Sequence, residues 1–285
     1  MTRHKCLLLT LLLSALLCST YVRAHDDDEE EPPSVWAQHN EAGKHAFGQG
    51  DYTEAEKEFS AALKEAETGG PEDPRVAVSL NNLGFLFYRR GKYSEAEPIY
   101  RRALEINEKA VGPENPLLAV GLSNLAELYR AEKKYAEAEP LYKRALEIRE
   151  KGLEPGDPAV AVTLSNMAAM YRQEGKLASA RPLYQRALEI FEKALDPADP
   201  MLATAQTNLA SLYVAQGSYA EAEPLFQRSL DILEKSLGPD DPYVGVSLEG
   251  YAALLRKTKR PAEAEKMEQR AKTIRAKQAQ EKPAK

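Results

Sequence analysis

The sequence predicts an all-α solenoid of about six antiparallel helical hairpins, and three observations carry that prediction. The word Gly70 to Pro74 returns in close variants at Gly112 to Pro116, Glu154 to Pro158, Asp196 to Pro200 and Gly238 to Pro242, a period of 42 residues. A fixed period of this size marks one supersecondary unit stacked on itself. Each copy ends in Asp-Pro or Asn-Pro, in which the first side chain caps free amides and the proline suits the first helical position. Between copies, apolar residues recur at helical spacing, as Leu118, Val120, Leu122, Leu125, Leu128 and Tyr129 do.

The elements follow in chain order. Met1 to Ala24 has the layout of a cleaved signal peptide: Arg3 and Lys5, an apolar run from Cys6 to Cys18, and the small-residue site Val22-Arg23-Ala24. The run is too short to span a bilayer, so no stable membrane insertion is expected after cleavage. Retention of this segment as an anchor is the alternative. Residues 25–33 read as an acidic, disordered linker, with six acids from Asp26 to Glu31 followed by Pro32 and Pro33. The array then occupies 34–273, with hairpins at about 34–68, 74–111, 116–153, 158–195, 200–237 and 242–273. A short basic tail, 274–285, is expected to fray.

Within a hairpin, the first helix starts at the Asp-Pro or Asn-Pro pair and breaks near Gly91, Glu132-Lys133-Lys134 or Gly217. Capping boxes Thr53-Glu54-Ala55-Glu56 and Ser94-Glu95-Ala96-Glu97 predict starts of the second helix. Pro98, Pro140, Pro182 and Pro224 are expected in its first turn, where a missing amide costs least. In the last hairpin Glu268, Pro261 and Gly250 replace an aromatic, a turn tyrosine and an Asn of the other copies, as a polar terminal cap would.

Gly84, Gly91, Tyr93, Ala96, Tyr100 and Ala103 resemble the tetratricopeptide repeat (TPR) pattern, and Ala126, Tyr135, Ala138, Tyr142 and Ala145 repeat it. The resemblance implies a right-handed solenoid whose first helices line a concave, partner-binding face. The common repeat has about 34 residues. The surplus here falls between Ala103 and Leu125, and it predicts a longer connection between hairpins. With Leu-Asn-Asn-Leu-Gly, Lys-Tyr-Ser-Glu-Ala-Glu-Pro and Arg-Ala-Leu-Glu-Ile in sequence, this longer form is similar to the kinesin light chain subclass.

On the first helices, Asn82, Asn124, Asn166 and Asn208 recur in register. Asn costs about 0.5–0.7 kcal/mol against Ala within a helix, so four of them imply a shared task. An amide offers donor and acceptor together and suits the backbone of an extended peptide. The alternative is that each Asn fixes the geometry between repeats. One residue earlier lies a second polar row: Asn40, Asn81, Ser123, Ser165 and Thr207. Arg130, Arg172 and Arg256 share a third register and are candidates for receiving ligand carboxylates, unless local acids such as Glu127 take them. The resemblance also points to asparagines lining a cargo groove. The Lys/Arg part of the chaperone-binding carboxylate clamp is missing.

Composition narrows the function. Of all residues 43% are hydrophobic and 29% charged, as in an ordered soluble protein. Signal cleavage removes Arg3, Lys5 and Arg23, taking the basic residues from 38 to 35 against 44 acidic ones, a formal charge of −9. Nucleic acid is therefore not an expected partner. Cleavage also removes both cysteines. The sequence carries no HExxH, phosphate-binding loop or GxSxG, so no catalytic site, cofactor or metal is expected. The reading is a non-catalytic, exported scaffold, periplasmic or secreted, that binds a protein or peptide. Structural self-assembly is the alternative, and metal binding through a mature amino-terminal His25 a remote one.

Overall fold

The structure, a computed structural model, describes residues 33–280. The expected signal peptide and all of the linker except Pro33 lie outside the described residues. So do residues 281–285. Twelve helices run among the described residues: α1 (Val35–Gly48), α2 (Tyr52–Glu67), α3 (Pro74–Arg89), α4 (Tyr93–Val111), α5 (Pro116–Ala131), α6 (Tyr135–Gly152), α7 (Pro158–Glu174), α8 (Leu177–Ala194), α9 (Pro200–Gln216), α10 (Tyr219–Leu237), α11 (Pro242–Lys257) and α12 (Pro261–Gln280). They pack as six successive hairpins. The chain divides into two compact units, one ending at Leu153 and the other starting at Glu154.

The repeated word does the capping expected of it. Asp73, Asn115, Asp157, Asp199 and Asp241 each accept a hydrogen bond from the amide two residues on, at 2.7–2.9 Å, with proline at the next position. Only 112–115 lie outside helix between α4 and α5. The surplus residues thus do not lengthen the connection: they extend the end of one helix and the start of the next. A capped start pinned by Asn115-Pro116 lets the preceding helix run on until Gly112 ends it with a φ of 85°.

The second helices differ from expectation at their starts. Lys92 is the N-cap of α4 and makes no side-chain cap bond, while Ser94 is already helical. In α2 the cap is Asp51, whose side chain accepts from the Glu54 amide at 3.0 Å, so Thr53 is not the capping residue. Pro98, Pro140, Pro182 and Pro224 consequently sit inside their helices, in the second turn. Each removes the donor for the carbonyl four residues before it. Those carbonyls belong to Ser94, Ala136, Ala178 and Ala220, all exposed residues, so water can replace the lost amide.

All six turns within hairpins pass through a left-handed residue: Gly50, Gly91, Gly175 and Gly217, but Lys133 and Lys259 in the third and sixth. At the other end of the chain, α12 continues past residue 273 to Gln280, and Ile274 is buried. The expected frayed tail is therefore helix as far as it is described.

In the unit ending at Leu153, Trp36, Ala62, Ala66, Val76, Leu80, Ala103 and Ile106 form one apolar cluster, and the Trp36 indole donates to Ser79 Oγ at 2.9 Å. Ala46, Phe59, Leu83 and Leu86 form a second cluster. Gly84 is required there, since a Cβ on it would lie 2.7 Å from the ring of Tyr100. In the unit starting at Glu154, Leu164, Met170, Tyr184, Leu212, Phe226 and Leu233 are fully buried.

Candidate functional site

Residues i, i+4, i+7 and i+11 of a helix share one face. On α3 that stripe is Val78, Asn82, Phe85 and Arg89, and all four are half-buried. The same register on α5 holds Val120, Asn124, Glu127 and Ala131; on α7, Val162, Asn166, Ala169 and Gln173; on α9, Thr204, Asn208, Ser211 and Ala215. Asn is the one polar residue common to all four, as the period implies.

The asparagines do not share one environment. Asn82 Nδ2 donates to Oδ1 of Asn40 at 2.6 Å, and Asn40 is buried. Gly43 and Gly84 each face an aromatic ring, which aligns Asn40 with Asn81. The bond therefore runs diagonally, from the Asn82 row to the neighbouring row of the preceding hairpin. Asn124 and Asn166 are buried, at 6% and 5% exposure. In the unit starting at Glu154, Asn166 and Asn208 have no side-chain hydrogen-bond partner among the described residues. Asn208 is half-buried between two small hollows. One is lined by Val162, Ser165, Phe191, Met201, Thr204 and Ala205, the other by Thr204, Thr207, Leu233, Tyr243 and Val246.

The second polar row turns largely into the fold. Ser123 Oγ donates to the Ala119 carbonyl at 2.7 Å, and Thr207 Oγ1 bonds to Ser229 at 2.6 Å and Ser247 at 3.2 Å. Oδ1 of Asn81 and Oγ of Ser165 are buried without a hydrogen-bond partner among the described residues. Ser165 Oγ borders the first hollow beside Asn208.

The arginines divide three ways. Arg130, 4% exposed, forms an ion pair with Glu127, 1% exposed, whose other oxygen accepts from the buried Tyr142 hydroxyl at 3.0 Å. Burial, the largest single influence, would lower the Arg130 pKa, but the charge of Glu127, the neighbouring Tyr142 and Tyr88 and the hydrogen bond to Glu127 together raise it above that of an ordinary arginine. Burial likewise pushes the Tyr142 phenol up, with Glu127 acting in the same direction. Arg256 is exposed and bidentate to Glu268, at 2.6 and 2.5 Å. Glu268 stands where Tyr142 and Tyr184 stand in other hairpins, so the residue read as a polar cap also neutralises Arg256. Arg172 faces Ala169 where Arg130 has Glu127, and its Nε is buried with no hydrogen-bond partner. Among the three, only Arg172 lacks a carboxylate partner among the described residues.

One cation on the Asn stripe escaped the sequence reading. Arg89 stands one residue after Tyr88, the member of the arginine register in that hairpin, and only the i+7 spacing from Asn82 reveals its place. Its guanidinium lies 5.9 Å from the Phe47 ring centroid and 5.8 Å from that of Phe85.

No described group of His, Cys, Asp or Glu is arranged to hold a metal ion, and no described helix is long and apolar enough to cross a membrane. No curated protein matches the sequence. Among solved structures, BtubC (BKLC) from P. vanneervenii is 23% identical with a TM-score of 0.65, over 86% of this chain and 91% of that one. A putative kinesin light chain from Podosopora anserina is 24% identical with a TM-score of 0.59, over 73% and 97%. A tetratricopeptide repeat protein from Parabacteroides merdae is 22% identical with a TM-score of 0.55, over 84% and 80%. At these identities the likeness is one of fold, with kinesin light chain-like structures among the neighbours. The tetratricopeptide repeat family model matches residues 34–109, 117–193 and 201–277, most of the described hairpins, and the chain belongs to that family.

Proposed function

We propose that this chain is a non-catalytic adaptor of the kinesin light chain-like subclass that holds an extended segment of another protein on its asparagine-bearing first helices. Tetratricopeptide repeats are in general protein-interaction modules. The observation that carries the finer reading is the pair Asn166 and Asn208, whose amides have no side-chain partner among the described residues although each sits in a helix interior. Helix propensity disfavours Asn there, and no internal bond offsets that cost. A peptide backbone, with alternating donors and acceptors, would supply the missing partners.

Selection of binders from a random-peptide library by the array starting at His25, wild type against Asn166→Ala/Asn208→Ala, tests this. Peptides enriched by the wild type should lose binding to the double variant, which should melt at the same or a slightly higher temperature. Equal binding, or a melting point several degrees lower, would assign both asparagines to the scaffold. Self-assembly has less support: Val35 and Leu237 are the large apolar residues exposed among the described ones, too little for copies to stack upon. Light scattering over a range of concentrations checks that alternative. Export to a periplasm or to the outside, with cleavage after Ala24, completes the proposal and is read from the mass of the mature chain.

A further inference from the structure

The unit ending at Leu153 contains an arginine with an unusual setting. Arg75, Arg90, Arg101, Arg102, Arg130 and Arg144 each pair with a carboxylate of this chain. Arg89 pairs with none among the described residues, although the chain carries more acid than base. Its Nη1 is buried and has no hydrogen-bond partner among the described residues. What holds it is aromatic: the guanidinium lies over both Phe47 and Phe85, whose centroids are 5.2 Å apart.

From these contacts we infer that Arg89, set on the Phe47–Phe85 pair, is a receptor for an aspartate or glutamate side chain of a protein segment bound along α3. The inference rests on the adaptor reading and adds the chemical class of one ligand residue. Three physical points support it. Arginine over aromatic faces is pre-organised, so less side-chain entropy is lost when a bond forms. A guanidinium nitrogen shielded from water and left unbonded carries a desolvation cost that an incoming carboxylate would relieve. The residue lies two turns from Asn82 on the same face of α3, so a chain that runs along that face passes within reach of it.

Peptide selection on the array starting at His25, compared with Arg89→Gln and Arg89→Lys, tests the inference. Selected peptides should share an Asp or Glu at one fixed position. Arg89→Gln should randomise that position while the rest of the motif persists. For one selected peptide, Arg89→Gln should weaken binding about tenfold, as should replacing its acid by the amide. Arg89→Lys, with the charge kept and the planar stack lost, should fall between. Circular dichroism confirms that each variant is folded. A shared motif with no acidic position, or one that Arg89→Gln leaves intact, overturns this inference and leaves the adaptor reading standing. Failure to select any motif overturns both. If binding is lost when the peptide C-terminus is amidated, the carboxylate is the terminal one and the side-chain assignment fails. If an acidic motif appears only after Asp26–Glu31 are neutralised, the receptor is filled by the chain's own acidic stretch.

Discussion

Replacing Glu127 by alanine should be among the most damaging single changes in the unit that ends at Leu153. Glu127 and Arg130 are both buried, and Tyr142, fully buried, donates to the same carboxylate at 3.0 Å. Removing the acid strands a guanidinium away from water, a change that costs about 3–5 kcal/mol in buried pairs, and it also leaves a phenol without its acceptor. Removing both charges is different in kind, because a well-packed apolar pair of similar volume is often neutral to stability. Glu127→Ala should therefore lower stability by about 3 kcal/mol, and Glu127→Ala/Arg130→Met should recover most of it. The double variant should thus be about 2 kcal/mol more stable than Glu127→Ala alone. Guanidinium unfolding followed by circular dichroism measures the sum, and amide exchange of α5 and α6 localises it, since the chain holds two compact units. A loss below about 1 kcal/mol for Glu127→Ala would refute the reasoning. It would mean that water reaches Arg130 and that the side chain is free to meet a ligand, as its register in the sequence suggested.

The other predictions rest on single contacts. Asn82→Ala should cost about 1 kcal/mol, since it removes the bond to buried Asn40, whereas Asn208→Ala should be neutral or gain about 0.5 kcal/mol by helix propensity; thermal unfolding of the two variants distinguishes them. Lys133→Gly should stabilise by about 0.5–1 kcal/mol, because Lys133 has a φ of 63° where four of the six hairpin turns use glycine, and an unchanged melting point would contradict it. Two N-caps should respond to pH with opposite sign. Hydrogen bonds from Arg75 hold the Asp73 pKa down against burial, so Asp73 stabilises above the usual aspartate range and loses that contribution as pH falls through its lowered value. Burial raises the Asp241 pKa, so ionisation there costs stability as pH rises through the raised value. Asp241→Asn keeps the cap, as Asn115 shows, and should raise the melting point at pH 7 with the gain gone near pH 3; Asp73→Asn should lower it by the equivalent of about 1 kcal/mol.

Most of the fold was legible because its signals are local and repeated. A cap followed by proline fixes five helix starts from two adjacent residues each, and the apolar period fixes the buried side of each of those helices. The same local reading misplaced the starts of the second helices. Ser94 and Thr53 look like caps, but Lys92 and Asp51 hold that place, because the left-handed turn residue just before sets where helical geometry resumes. The surplus between Ala103 and Leu125 was visible as a count, whereas its conformation was not. Nothing within that stretch separates a long connection from two long helices until Asn115-Pro116 is seen to cap and Gly112 to terminate.

The candidate site was legible to a different depth. A register can group residues of one type, but it cannot say what each of them faces, because the neighbour comes from another helix whose residue at that point is not constrained by the period. Arg130, Arg172 and Arg256 occupy one register and meet three partners: Glu127 one turn back on the same helix, an alanine at that point, and Glu268 on the following helix. Asn82 meets Asn40, while Asn208 meets two hollows. The period thus conserves where a side chain is placed and leaves its occupation to be set repeat by repeat. That is what an extended ligand with a different residue at each step would require of its receptor. What sets Arg89 apart is its surroundings and not its register, which Ala131, Gln173, Ala215 and Lys257 fill in later hairpins: on the proposed adaptor reading, a cation held on two aromatic rings would select one ligand residue, whereas amides repeated in register would select only a backbone.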